Sequence, residues 1–385
     1  MKERIHSIDI VRGLIMIIMA LDHVRDFFHF PGNPPLNMQT TTVVLFFTRW
    51  VTHFCAPTFV FLGGVSAYFA GLRRSKKELR SFLLKRGAWL IVSDLLIISF
   101  IFTFDPGYHT MVLEVLCATG FGMILLALLI NAPLKLIAAI GLVILFGHNL
   151  LDYAPLPADM PGGGVVRFLL APFINIIPLG KNRMIFELYA VLPWSALLLL
   201  GYVFGRMYQP GFGAVRRKKV LVISGLGLIV LFIVLRMINQ YGDPSHWTRQ
   251  SNGAHTFLSF LNVSKQPPSL LFAAVTLGPI LILLALAEGF KGRFADICRV
   301  YGNVPYFYFI LHLCLIRAIN ILLVLIQGIP IKFNGYPLVW QADGFGMPLW
   351  EVYLFWILVV ALLYYPCKWY GNYKRTHPHW WLSYV

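Results

Sequence analysis

Apolar runs of about 20 residues recur along the whole chain, and they constrain its fold more than any other feature; a helix needs about that many to cross a bilayer. Such segments occupy residues 7–29, 51–72, 87–104, 110–130, 134–152, 185–206, 220–238, 269–289, 303–327 and 350–370. In hydrocarbon every unpaired peptide group is costly, and a helix pairs them within itself. The runs are too long for barrel strands and do not alternate. The pattern predicts an all-α integral membrane protein, a polytopic bundle of about ten transmembrane helices forming one domain over residues 1–385. The chain is 58% hydrophobic and only 12% charged, about half the charge of a soluble domain. A set of soluble domains is thereby excluded.

The net charge of +16 would suit a nucleic-acid binder, but the cations sit in short runs between apolar segments. One run is Arg73, Arg74, Lys76, Lys77, Arg80, Lys85 and Arg86; a second is Arg206, Arg216, Arg217, Lys218 and Lys219. Lys291, Arg293 and Arg299 follow, then Lys368, Lys374 and Arg375 in the tail. The alternate connections, 30–50, 105–109, 153–184, 239–268 and 328–349, are poor in cations. Cytoplasmic connections are enriched in Lys and Arg, so both termini are expected in the cytoplasm and no nucleic acid is expected as partner. Met1-Lys2-Glu3-Arg4 and the apolar run after it resemble a signal peptide. Asp22-His23-Val24-Arg25-Asp26 stands where a small-residue cleavage site would, so an uncleaved first helix is expected. Segment 162–180 is apolar but interrupted by Pro172 and Pro178, which suits a re-entrant or interfacial stretch. A full span there would invert the register of the basic run at 206–219. The five cysteines are scattered with no CxxC pair, so neither a disulfide framework nor a metal site is expected.

Ionisable side chains inside a bilayer are costly and are functional candidates by default. The densest set closes the first helix: Asp22, His23, Arg25, Asp26 and His29. Asp22, Asp26 and His29 share one helical face, and His23 stands at i, i+3 from Asp26. A second set opens the next helix, where Arg49 and His53 lie at i, i+4. The connecting loop brings both sets to one side of the membrane. A histidine supported by a carboxylate can serve as a general base near neutral pH. The same residues also fit a solvated helix end, or a His–Asp or Arg–Asp pair that only locks two helices together. Further buried candidates are Asp94, Glu114, Glu187, His312 and Arg317, with Arg317 expected as counter-ion to a carboxylate. Asp9 and Arg12 form an interfacial pair or an anion mouth. Lys265, just before Pro267-Pro268, either holds an oxygen-rich or anionic acceptor or snorkels to the interface. No phosphate loop, GxSxG elbow or HExxH helix occurs.

Arg4-Ile5-His6-Ser7-Ile8-Asp9-Ile10-Val11-Arg12-Gly13-Leu14 resembles the opening of the heparan-α-glucosaminide N-acetyltransferase-like family. Thr48-Arg49-Trp50-Val51-Thr52-His53-Phe54-Cys55-Ala56-Pro57-Thr58-Phe59-Val60-Phe61 resembles its second helix, in an uncharacterised bacterial branch. Leu192-Pro193-Trp194, Phe260-Leu261-Asn262 and Pro305 through His312 extend the likeness to the ninth helix. The resemblance implies a membrane acyltransferase in a bacterial cytoplasmic (inner) membrane. It would take acetyl from acetyl-CoA in the cytoplasm and pass it to a sugar or glycan outside, with a histidine at the site.

Taken together, the expected catalytic set is His53, His23, Asp22, Asp26 and Arg49. His29, Lys265, His312, Arg317 and Glu187 are expected toward the acceptor, and Arg12, Arg73 and Arg74 toward acyl-CoA. In this reading His53 or His23 is the base, Asp22 or Asp26 orients it, and Arg49 serves the developing oxyanion. An acetyl-histidine and direct transfer both remain open. The expected partners are the bilayer, acyl-CoA and the glycan, with a homodimer left open. A proton-coupled transporter would use the same polar groups as a relay, although no internal repeat or matched pair of broken helices is found. A scaffold in which they only hold helices together is a third reading.

Overall fold

The computed structural model describes residues 5–384 apart from 33, 154–162, 171–174, 210 and 333–338. Each of the ten expected segments contains a helix. The chain opens with α1 (His6–Phe28), α2 (Val43–Gly71) and α3 (Lys76–Thr103). Strand β1 (Thr110–Leu113) leads into α4 (Val115–Leu129) and α5 (Leu134–Asp152). The short helix α6 (Gly163–Leu170) precedes strands β2 (Asn175–Pro178) and β3 (Met184–Glu187). Helices α7 (Val191–Tyr208), α8 (Ala214–Ile238), α9 (Gly253–Leu261) and α10 (Leu270–Ala287) follow. The chain ends with α11 (Arg293–Gly302), α12 (Pro305–Ile326) and α13 (Leu349–Thr376). Among the described residues eight helices are long and apolar enough to cross a membrane: α2, α3, α5, α7, α8, α10, α12 and α13. Helix α1 has 23 residues but carries Asp9, Arg12, Asp22, Arg25 and Asp26, and α4 has 15. The protein is an all-α polytopic membrane bundle.

Several boundaries differ from expectation for identifiable reasons. Much of the basic run 73–86 is helix rather than loop. Ser75 accepts from the Glu78 amide and Glu78 reaches back to Ser75, and this capping box starts α3 at Lys76. Helix α2 starts at Val43, earlier than 51, and tightens to a 3-10 turn at Val51–Phe54 just before Pro57, where proline removes a backbone donor. Residues 110–113 and 185–187 are expected to be helical. They form parallel strands paired Leu113 to Glu187, with β2 antiparallel on the other side of β3. In segment 162–180, α6 has eight residues and β2 four, each too short to span; residues 162 and 171–174 lie outside the described set.

Close backbone approach holds the helices. A Cβ on Gly64 of α2 would collide with the Leu198 carbonyl, and one on Gly201 of α7 with the Phe61 carbonyl. Apolar helices in lipid gain little from hydrophobic burial against one another, so small residues that bring backbones together carry much of the packing. Four basic segments meet on one face. Arg12 donates to Gly302 O at 3.3 Å and to Ser66 Oγ at 2.9 Å. Arg299 reaches His6, Arg86 donates to the Ser383 carbonyl, and Arg217 pairs with Glu288 beyond the end of α10. On the opposite face the loop before α13 fastens the end of α1: His29 Nδ1 lies 3.0 Å from Met347 O, and Gln341 donates to Asp26 O at 2.8 Å.

Candidate active site

A cavity of about 300 Å³ runs between α1, α2, α3, α4 and α12. Its wall changes character along its length. Arg12, Arg86 and Lys374 stand toward the basic face. Ala56, Phe59, Gly63, Ala67, Leu83 and Met123 form an apolar shaft. Asp22, His23, Thr52, Glu114, Tyr189 and Lys265 close the other end as a polar chamber. Arg12 and Asp22 are ten residues apart on α1, roughly 15 Å at the helical rise.

His23 is the imidazole on that wall, and its tautomer follows from its partners. His312 Nδ1 lies 2.9 Å from the Tyr308 carbonyl, which can only accept, so Nδ1 of His312 carries the hydrogen. Neutral His312 therefore offers a lone pair at Nε2, which lies 2.7 Å from His23 Nδ1. His23 Nδ1–H donates into it. The second ring nitrogen of His23, Nε2, is left with its lone pair and no hydrogen bond from any described residue. The two rings stack at 4.9 Å between centroids, and Phe102 and Phe309 flank His23 edge-on.

The carboxylates beside it are committed. Asp22 is ion-paired with Arg25 at 2.9 Å and accepts from Arg49, and Arg49 also donates to Thr52 Oγ1 at 3.2 Å. Asp26 pairs with its neighbour Arg25 rather than with His23. Arg49 on this carboxylate ties the end of α1 to the start of α2, and Arg25 braces it from within α1. Lys265 enters from the loop before α10, with its ammonium 5.3 Å from the Tyr189 ring centroid. Burial, and next the Arg49 guanidinium, push the Lys265 ammonium below its usual range, against the pull of Asp22 and Glu114.

A family model described as heparan-alpha-glucosaminide N-acetyltransferase, catalytic, matches residues 4–236, more than half of the chain. The chain belongs to this family. Its function is thus of the membrane acyltransferase type. No curated protein matches the chain. Within this family member the matched region contains Arg12, Asp22, His23, Arg49, Arg86 and Glu114, while Lys265, His312 and Lys374 lie beyond it.

The other candidates sit elsewhere in the acyltransferase-like bundle. His53 is 1% exposed and off the cavity wall; its ring packs edge-on to Phe272 at 5.5 Å, and neither nitrogen has a partner among the described residues. His29 faces the Met347 carbonyl. Glu187, in β3, accepts from Asn175 Nδ2 at 2.9 Å. Arg73 is exposed, and exposed Arg74 lies over Phe82 at 4.4 Å. Arg317 is not a carboxylate counter-ion. It donates to the carbonyls of Ile101, Phe102 and Trp340 at 2.6–2.9 Å, because α3 ends there and leaves carbonyls without helical partners. Arg86 belongs to the 73–86 run expected near the donor, although Arg73 and Arg74 are its named members, and Lys374 is expected only as a tail cation; the sequence nonetheless marks both positions. Leu79, Leu83, Arg86 and Leu90 follow one helical face, as do Cys367, Tyr370 and Lys374, and the apolar members are buried.

Proposed function

We propose that this protein moves an acetyl, or longer acyl, group from acyl-CoA at its basic, cytoplasmic face to a sugar or glycan acceptor at the opposite face of a bacterial inner membrane. The observation that carries this reading is that one cavity has a cationic mouth, an apolar shaft and a polar chamber holding His23. An acyl-CoA has the same order of parts: anionic phosphates, a long arm and a thioester. Its phosphates sit against Arg12, Arg86 and Lys374, where charge-assisted hydrogen bonds are strongest. The arm fills the shaft and the acyl carbon reaches His23.

His23 Nε2 is the reacting nitrogen. Attacking the thioester carbonyl carbon, it forms an N–C bond while the C–S bond breaks, and the thiolate leaves with the pair. In direct transfer it takes the acceptor's proton instead. His312 holds the useful tautomer in both routes. Arg49 and Arg25 hold Asp22 in place and supply positive potential where an oxyanion develops.

The test uses purified protein in liposomes, labelled acetyl-CoA on the basic side and methyl glucoside or methyl glucosaminide on the other. Labelled acetyl-sugar that forms with wild type and not with His23→Ala is the expected result. Sugar carried across without acetylation would make the protein a transporter and end this reading.

A further inference from the structure

The polar chamber holds two opposite charges that do not satisfy each other. The Glu114 carboxylate makes no hydrogen bond or ion pair with any described residue, whereas Asp22 and Asp26 are taken up by Arg25 and Arg49. The Lys265 ammonium lies 5.3 Å from the Tyr189 ring centroid and makes no hydrogen bond or ion pair with any described residue. Both nonetheless line the cavity. A charged group drawn partly out of bulk water without a hydrogen-bond partner costs free energy, and two such groups facing one cavity are best met by a ligand that pairs both.

Each charge is held by a rigid support. Asp94, fully buried, accepts from the Glu114 amide at 2.6 Å and the Cys117 amide at 2.8 Å, which caps α4 and fixes its first residues. The pairing of Leu113 with Glu187 sets Glu114 beside Leu188, one residue from Tyr189. Across the chamber, Arg236 donates to the carbonyls of Ser245, Ser259, Phe260 and Asn262 at 2.6–3.0 Å. Asp243 accepts from the Ser264 amide at 2.8 Å and from Ser269 Oγ at 2.6 Å. This network pins the loop on both sides of Lys265. Tyr189 is the common neighbour of the two charged groups, and His23 lines the same chamber.

We infer that Glu114 and Lys265 form the acceptor subsite, with Glu114 the catalytic base toward a hydroxyl or amine and Lys265 a donor to the acceptor's hydroxyl oxygens. The inference rests on the acyl-transfer reading above. Glu114 takes the acceptor proton as the acceptor's oxygen or nitrogen bonds to the acyl carbon. The bond from that carbon to its leaving atom, the thioester sulfur or His23 Nε2, breaks, and the leaving atom keeps the pair. With Glu114 in that role, His23 is left to carry the acyl group. The arrangement also selects the acceptor class: a polyhydroxylated or amino sugar satisfies both charges, whereas an apolar alcohol leaves one unpaired. A site built around hydrogen bonds discriminates strongly against ligands that lack them.

The test uses full-length protein in liposomes with acetyl-CoA and the same two glycosides. Glu114→Gln should lower transfer by about 100-fold or more while CoA binding by calorimetry and acetyl label on His23 without acceptor stay at wild-type levels; Glu114→Asp should recover part of the rate. Lys265→Met should raise the glycoside KM by at least about tenfold with CoA binding unchanged, the loss expected for one charged hydrogen bond. Wild-type transfer by Glu114→Gln, or parallel loss of CoA binding and label, overturns the base assignment. An unchanged glycoside KM and rate in Lys265→Met overturns the cation's part. Transfer that survives His23→Ala instead defeats the site proposed in the preceding section, whatever Glu114→Gln does.

Discussion

A histidine lone pair is usable only while the tautomer that exposes it is held, and the Tyr308 carbonyl holds it here through His312. A hydrogen bond between neutral groups contributes about 0.5–1.5 kcal/mol, roughly two- to tenfold. His312→Phe should therefore slow transfer by about that range without changing donor affinity, while His23→Ala removes transfer altogether; equal rates in wild type and His312→Phe would show that the relay does nothing. Asp22 bears on stability as much as on chemistry. It is 8% exposed and sits between two guanidiniums. Neutralising one member of a buried ionic group leaves the others uncompensated, at about 3–5 kcal/mol. Asp22→Asn should lower the thermal midpoint in detergent, whereas Asp26→Asn, at the half-exposed edge of the cluster, should shift it far less. The types of residue needed for the site were visible in the sequence, since polar groups crowd the end of α1. The partner of His23 was not: the two histidines are 289 positions apart, and nothing local to either announces a contact. Arg317 looked like a counter-ion for a related reason, because its partners are backbone carbonyls and every residue type has one.

Helices were legible wherever a long apolar run had to satisfy its own backbone, and least legible at their ends. Residues 110–113 and 185–187 read as the first turns of helices because they continue apolar runs. Their strand pairing is with each other, across more than seventy residues. The basic run 73–86 reads as loop by its charge, yet Ser75 and Glu78 form a capping box that starts α3 inside it. At this scale the clearest consequence concerns α2 and α7, which approach through Gly64 and Gly201. A β-branched side chain at 201 has the Phe61 backbone in its way rather than a flexible side chain. Overpacking of this kind costs about 1–3 kcal/mol and sometimes more. Gly201→Val should therefore reduce the detergent-extracted folded yield and the thermal midpoint, while Gly227→Val, with open space around it, should leave both near wild type. The glycines also have a functional side, because α2 forms one wall of the cavity and any splaying from α7 widens it.

The cationic mouth belongs to no single element: Arg12 comes from α1, Arg86 from α3 and Lys374 from α13. It exists only once the first and last helices of the bundle are brought together, which is why neighbouring Arg73 and Arg74 drew the donor-binding assignment in the sequence. Arg86 also donates to the Ser383 carbonyl, and Lys374→Gln probes the charge of the mouth with that contact left in place. A charged hydrogen bond to a phosphate contributes about 1.5–3 kcal/mol, and each 1.4 kcal/mol is about tenfold in affinity. That contact lies far from the reacting carbon and is made equally in ground and transition states, so its loss should raise KM and leave kcat nearly unchanged. Lys374→Gln should thus raise the acetyl-CoA KM by about tenfold or more. The KM for S-acetylpantetheine, which has the arm and thioester but no phosphate, should not move, and added salt should narrow the difference between the two donors. A parallel rise for both donors would mean that the substitution had disturbed the shaft. A change in neither would place the phosphates elsewhere and remove the argument that the cavity is ordered, from one face of the membrane to the other, along the donor itself.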